Sequence, residues 1–304
     1  MKQANKPMEV GAEPVEGRPE TEGNPDQPTA PGTPSPDHAT SGLGRVREAA
    51  RRDKDLRFTN LLHHITPGML TDAYWALKRQ AAPGVDGVTW HEYGDALENR
   101  IADLHARVHS GRYRAQPSKR AWIPKPDGRR RPLGIAAMED KVLQLATTWV
   151  LQAIYEQDFA GFSYGFRPKR GQHHALDALW VGITQRKVSW ILDADIRSFF
   201  DTISHEWLMK FVEHRIADLR ILRLIQKWLR AGVSEDGQLS RTTVGTPQGA
   251  VISPLLANIY LHYALDVWVK WWRKQHATSE TIIVRYADDC APRRRERTSL
   301  CKSD

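Results

Sequence analysis

The chain has 304 residues, of which 40% are hydrophobic, and its formal net charge is +8. This apolar content is sufficient for a core of one or two domains. No segment approaches the ~20 consecutive apolar residues of a membrane span, and no apolar signal segment opens the chain. We therefore predict no membrane partner and a cytoplasmic location. The only cysteines, Cys290 and Cys301, exclude a disulfide framework and a zinc site in the body of the protein.

The charge is unevenly distributed along the chain. Residues 1–44 contain seven acids and three bases, a net charge of −4, so the remaining residues carry +12. Such an excess is typical of proteins that bind a polyanion, most often nucleic acid, although it could also serve only solubility. Residues 1–40 are rich in Pro, Glu, Gly and Thr and contain few apolar side chains. We predict disorder over residues 1–44 and ordered structure from about Leu56.

Hydrophobic periodicity predicts helices and a smaller number of strands after this segment. One apolar stripe is expected to run along a single helix from Leu255 to Trp271, opened by Ser253 as its N-cap and Pro254. Helices segregated around a small antiparallel sheet predict an α+β fold. The predicted helices cover residues 56–77 (broken at Pro67), 142–155, 206–216, 219–229 and the segment from 253; the predicted strands cover 121–123, 189–196 and 281–286.

Two acidic clusters follow predicted strands. The first strand carries Asp193 and Asp195 on one face, because strand side chains alternate, and the second ends in Asp288-Asp289. If the two strands pair, the carboxylates converge and repel one another unless cations neutralise them. Two Mg²⁺ ions ~4 Å apart would do so and would clamp the oxygens of a phosphoryl transfer. The alternative is that these acids are merely solvated at strand ends.

Residues 123–132 have the pattern of a basic hairpin, since Pro126-Asp127-Gly128 is a strong turn signal. Lys125 and three arginines lie within seven residues and could fold over triphosphate oxygens. A solvated basic turn is the alternative. The tight loop at residues 245–249 places Gln248 where it could bind a base or sugar edge, or could simply lead into the next helix.

The order of the motifs resembles a known family. Tyr286-Ala287-Asp288-Asp289 is weak alone, but it closes a series of blocks, including Ser163-Tyr164-Gly165-Phe166-Arg167-Pro168, spread over some three quarters of the chain. Residues 56–289 thereby resemble the bacterial group II intron reverse transcriptase/maturases. The resemblance rests on blocks at residues 83–89, 123–125, 131–135, 140–144, 163–168, 195–200, 246–249 with 253–258, and 286–289.

The resemblance implies an RNA-directed DNA polymerase in which a primer 3′-hydroxyl attacks the α-phosphate of a deoxynucleoside triphosphate. Its implied partners are an RNA template or intron RNA, a DNA primer and two Mg²⁺ ions. Asp195, Asp288 and Asp289 match the metal-binding and catalytic aspartates. Asp193 and Asp201 match no metal position, so we expect them to be structural.

The resemblance also implies substrate-binding residues. Lys125 and Arg131 match finger residues on the incoming triphosphate, and Gln248 matches a loop that contacts the template and primer. Phe200 matches the aromatic residue that excludes a nucleotide 2′-hydroxyl. The implied architecture is the fingers and partial palm of a right-hand polymerase without a thumb. We expect residues 1–44 to be disordered and residues 45–105 to form an N-terminal extension with the start of the fingers. Residues 106–289 are expected to form the fingers and palm, and residues 290–304 an aberrant basic tail.

The tail departs from the family pattern. Pro292 and the arginines from Arg293 to Arg295 are expected to prevent residues after Asp289 from forming the second strand of a hairpin. A frameshift or premature end would explain this, and we expect a truncated form with little activity. The alternatives are an evolved basic RNA-binding tail, a non-catalytic intron-RNA-binding remnant, half of a split enzyme with a separately encoded C-terminal half, and an inert product of a degraded intron.

Overall fold

All described residues belong to the unit that spans Gly32–Asp304. The computed structural model describes residues 40–124, 128, 130–185, 190–191, 194–235, 237–240, 244–246, 249–276 and 281–294. The predicted disorder of residues 1–39 lies outside this part of the chain.

Ordered structure begins earlier than the composition predicts. Helix α1 (Thr40–Arg52) buries Leu43, Val46 and Ala50, which follow one another at helical spacing, and packs against the central helix α5 (Met138–Tyr155). The expectation that order starts near Leu56, and that residues 40–44 are disordered, is therefore wrong. Three apolar side chains at the right spacing are sufficient to dock a basic helix.

The next elements form the helical N-terminal part. A 3₁₀ turn (Leu62–His64) precedes α2 (Pro67–Ala76), α3 (Trp90–Gly94) and α4 (Leu97–His109). Helix α2 begins at Pro67, capped by the Thr66 hydroxyl, so the prediction of helix over residues 56–66 is wrong. Proline fits the first turn of a helix, where its missing N–H leaves no bond unmade.

The predicted basic hairpin is confirmed. Strands β1 (Ser118–Pro124) and β2 (Arg130–Ile135) pair antiparallel, and Gly128 between them has a positive φ of 79°. Two strands that the sequence did not predict, β5 (Val233–Glu235) and β6 (Gln238–Ser240), extend this sheet. The strand order is β2-β1-β5-β6, with β1 and β5 parallel. We call it the fingers sheet.

Helix α5 (Met138–Tyr155) is the centre of the core. It is buried on nearly all sides, which explains its long apolar sequence, and it packs against α1, α2 and α10 (Ser253–Leu261). The next helices along the chain are α6 (Gln172–Gln185), α7 (Phe199–Thr202), α8 (His205–Glu213) and α9 (Leu219–Arg230), and α8 packs against α9. Asp218 caps α9 through the amide of Arg220 at 2.9 Å.

The helix after Ser253 is interrupted. Helix α10 (Ser253–Leu261) and α11 (Val267–Gln275) are joined by one π-helical turn (His262–Asp266). The predicted N-cap role of Ser253 is wrong, because Ser253 is the first helical residue. The single stripe is also wrong: Leu255 is buried, but Trp271 is 50% exposed. The wider π turn shifts the helical phase, so the two halves present different faces.

The second sheet carries the acidic motifs. Its strands are β3 (Trp190–Ile191), β4 (Ala194–Asp195), β7 (Thr281–Tyr286) and β8 (Asp289–Arg294). One edge of β8 pairs with β7 and the other with β3 and β4, all antiparallel. We call it the palm sheet.

The prediction that residues after Asp289 cannot form a strand is therefore wrong. Pro292 lies opposite Ile283 in β8. A two-residue turn reverses the chain after β7, so that β8 runs back along it. The backbone hydrogen bonds made by the other residues of β8 outweigh the single hydrogen bond lost because proline has no N–H. This correction removes one reason for expecting little activity, the missing hairpin partner of β7, and the expectation itself stays a prediction.

Candidate active site

The palm sheet brings the predicted carboxylates together. In the register of β4 and β8, Asp195 lies directly opposite Asp289, and Asp289 also closes the hairpin opposite Tyr286. Directly opposed residues of antiparallel strands have Cβ atoms ~4.5–5.5 Å apart and share one face. Both aspartates are exposed, while Asp288 in the turn is half-buried. The site is thus a pair of solvent-facing carboxylates, and Asp288 lies in the adjoining turn.

The turn that carries Asp288 has a strained backbone. Ala287 adopts a positive φ of 56°, which suits a two-residue hairpin loop but is unfavourable for a residue with a Cβ. Gly165 packs so closely beneath it that a Cβ there would lie 2.3 Å from the Ala287 amide nitrogen. The backbone of residue 165 therefore supports the turn directly, and only glycine allows this approach.

A buried arginine lies immediately before the turn. Arg285 is fully buried and binds Asp266 through two bonds, Nε to Oδ1 at 2.8 Å and Nη2 to Oδ2 at 2.6 Å. It also donates to Asn258, to the Ser163 hydroxyl at 2.7 Å and to the carbonyl of Ala287 at 2.9 Å. This network joins β7, the π turn and the 163–168 block beneath the acidic tip.

Sequence reasoning missed this network, although one signal was present. A single cation inside the apolar strand Thr281–Tyr286 requires a partner, because an unpaired charge is rarely buried. The partner, Asp266, is buried by the π turn, which the hydrophobic pattern did not indicate. Asn258 completes the link by donating to the Gly165 carbonyl at 2.8 Å.

The donor chemistry at the tip fits magnesium. Mg²⁺ prefers carboxylate oxygens and keeps several waters, so one or two carboxylates together with substrate phosphates are enough to bind it. Burial raises the pKa of the neighbouring Cys290 thiol to about 11, so the carboxylates are the anionic groups at the tip in the absence of metal. Within the described ranges, no group of three or more His, Cys, Asp or Glu side chains is gathered to hold a metal ion. The opposed pair of Asp195 and Asp289 is therefore the best candidate.

The predicted substrate-binding residues are only partly described. Arg131 lies in β2, exposed and opposite Ile123. Phe200 in α7 is 8% exposed, and its ring packs edge to face against Phe166 and Phe199. The predictions for Lys125 and Gln248 fall outside the described residues.

The described residues on either side of Gln248 contact different parts of the fold. The amide of Thr246 donates to the Phe200 carbonyl in α7 at 2.8 Å. Gly249 has φ 103°, and a Cβ there would lie 2.8 Å from a Leu133 methyl in β2. Thr246 is therefore fixed to α7, and Gly249 lies against the fingers sheet.

A palm sheet with opposed carboxylates at a hairpin tip and a basic fingers hairpin are the features expected of the class of template-directed nucleic-acid polymerases. Residues 123–296 match the family described as Reverse transcriptase (RNA-dependent DNA polymerase). This match covers more than half of the chain, so the protein belongs to the reverse transcriptase family.

Its relatives include proteins encoded by group II introns. The chain is 35% identical over 229 residues to the group II intron-encoded protein LtrA of Lactococcus lactis subsp. cremoris, covering 75% of this chain and 38% of that protein. It is 39% identical over 220 residues to Protein YkfC of Escherichia coli, covering 70% of this chain. The chain spans 58% of the length of that second relative. These similarities support the group II intron reverse transcriptase/maturase branch.

A solved structure also aligns with the chain. One chain of a partial Cas6-RT-Cas1–Cas2 complex covers 76% of this protein and 37% of its own length, with a TM-score of 0.46 and 19% identity. None of the helices in the described part of the protein has the length and apolar content to cross a membrane.

Proposed function

We propose that the chain is an RNA-directed DNA polymerase of the group II intron type, acting in the cytoplasm on an RNA template and a DNA primer. The observation that carries the proposal is the register of the palm sheet, which sets exposed Asp195 and Asp289 face to face. A reverse transcriptase generally uses divalent metal ions. Asp195, Asp288 and Asp289 are the proposed ligands of two Mg²⁺ ions.

The bound magnesium would neutralise the carboxylates and polarise the reacting phosphate. The chain's own residues perform the positioning. Asp195 and Asp289 orient the primer 3′-hydroxyl towards the α-phosphate of a deoxynucleoside triphosphate, whose pyrophosphate leaves. Lys125 and Arg131 are proposed to neutralise the triphosphate oxygens, Arg through bidentate bonds and Lys as a point charge. Gln248 is proposed to contact the template and primer.

Phe200 is the proposed barrier to ribonucleotides. Its ring packs against those of Phe166 and Phe199, with centroid distances of 6.3 and 5.5 Å. A ring packed against two others cannot rotate away from a 2′-hydroxyl without disturbing the core. We expect Phe200→Ala to increase ribonucleotide incorporation relative to deoxynucleotide incorporation.

Primer extension on an RNA template with Mg²⁺ and deoxynucleotides tests the proposal. Asp195→Asn and Asp289→Asn are expected to lower the extension rate by more than the ~10–100-fold that loss of an outer-shell metal partner causes. Asp201→Asn is the matched control, because Asp201 is an exposed aspartate six residues beyond Asp195. Extension that is absent from the unmodified chain, or unchanged by both substitutions, contradicts the proposal.

A further inference from the structure

A basic cleft lies apart from the carboxylate site. It has a volume of about 520 Å³ and is bounded by the connection between α4 and β1, the solvent-facing side of α9, and β6. Four of its lining residues are cations: Arg114, Arg223, Lys227 and Arg230. The described residues that line it include no Asp or Glu, and none of them belongs to the site around Asp195.

Helix α9 is built to present this charge. Its apolar side chains, among them Ile225 and Trp228, are buried in the core. Arg223, Lys227 and Arg230 follow at intervals of four and three residues, so they share the opposite face. Arg223 and Arg230 are exposed. Because the packed face fixes the helix, the row of cations has a fixed direction.

The positive charges are close enough to affect one another. The pKa of Lys227 is lowered, first by burial and then by the charges of Arg114 and Arg223. Lys227 is held in place by donating to the backbone carbonyls of Gly111 and Tyr113. In the part of the chain that the structure describes, no salt bridge joins Arg114, Arg223 or Arg230 to a carboxylate. An anion in the cleft would therefore meet a concentrated positive field.

We infer that this cleft binds the phosphodiester backbone of RNA. From Arg223 to Arg230 the helix advances about 10 Å. One nucleic-acid strand carries a phosphate every ~3.4 Å of its axis, so this distance covers several phosphates and the row of cations can contact more than one of them. The inference takes RNA as the partner from the proposed function, but the binding itself requires no catalysis.

Binding of a short, unstructured, fluorescently labelled oligoribonucleotide to the full chain tests the inference by polarisation. If both arginines contact phosphates, each contributes about −0.7 to the slope of log K against log salt. Arg223→Gln/Arg230→Gln is therefore expected to reduce the magnitude of the slope by about 1.4 and the affinity by about 25-fold near 0.1 M salt. Arg223→Lys/Arg230→Lys retains the charge and is expected to keep most of the affinity.

Arg273→Gln/Lys274→Gln is the matched control, since it removes two exposed cations from α11. It is expected to change the affinity less than about threefold. Equal losses in both double variants would show that only net charge matters and would overturn the inference. It is also overturned if the α9 substitutions leave RNA binding unchanged but abolish binding of inorganic tripolyphosphate or of a poly-glutamate peptide. Primer extension does not enter the measurement, so failure of the polymerase proposal is distinguishable.

Discussion

Replacing Arg285 by methionine tests whether the network beneath the acidic turn stabilises the palm. The substitution retains a long apolar side chain but removes every donor to Asp266, Asn258, Ser163 and the Ala287 carbonyl. Asp266 is fully buried, so its charge would lose its cation and two short hydrogen bonds. Removing one partner of a buried ion pair costs ~3–5 kcal/mol. We expect the free energy of unfolding to fall by about that amount.

Urea denaturation, followed by circular dichroism and by tryptophan fluorescence, measures this change where the two transitions coincide. Arg273→Met is the matched control, because Arg273 is exposed on α11, and it should stay within about 0.5 kcal/mol of the unmodified chain. Arg285→Met/Asp266→Leu removes both charges and is expected to be more stable than the sum of the single effects by about 1–3 kcal/mol. A cost below ~1 kcal/mol for Arg285→Met, or strict additivity in the double variant, would refute the reasoning.

Two further substitutions probe the support of the site. Gly165→Ala would place a Cβ 2.3 Å from the Ala287 nitrogen, so we expect it to accelerate amide hydrogen exchange in the turn and to lower the primer-extension rate sharply. Gly161→Ala is the control, because no atom lies within 4 Å of a Cβ at that position, and it should have neither effect. Equal behaviour of the two variants would count against the close approach of residue 165 to the turn. Burial raises the pKa of Asp140 from 3.8 to about 7, although hydrogen bonds from Tyr113 and the Gln116 amide act in the opposite direction. Between pH 3.8 and about 7, Asp140 is therefore protonated in the folded state and ionised in the unfolded state. As the pH rises through this range, the contribution of Asp140 to the free energy of unfolding should fall by about 1.4 kcal/mol per pH unit. Asp140→Asn should lack this component in urea denaturation at several pH values, and an unchanged pH dependence would show that Asp140 is ionised in both states.

Much of the fold was predictable from local signals. The turn around Gly128 predicted the hairpin of β1 and β2, and the amphipathic pattern from Leu219 predicted α9. Both signals act over a few residues and agree with the tertiary packing. The short strands β5 and β6 were missed, because three-residue strands carry too little alternation to distinguish them from a loop.

The acidic tip shows where prediction from local signals ended. Asp195 and Asp289 were identifiable as candidates, but their register depends on β8, which Pro292 argued against. The exclusion of proline from central strands rests on the loss of a single backbone N–H donor, whereas β8 pairs along its length with β7 on one edge and with β3 and β4 on the other. The role of Phe200 and Arg131 stays a prediction.

The sequence by itself determined the chemistry that the chain carries: the carboxylates that follow its strands, the basic hairpin and the glycines that permit close turns. These are properties of residue types and short spacings. Only the tertiary structure decided which groups meet. Arg285 and Asp266 are nineteen residues apart and pair because a π turn changes the helical phase between α10 and α11. Such pairing depends on the packing of the whole core, in which a buried charge must find its partner.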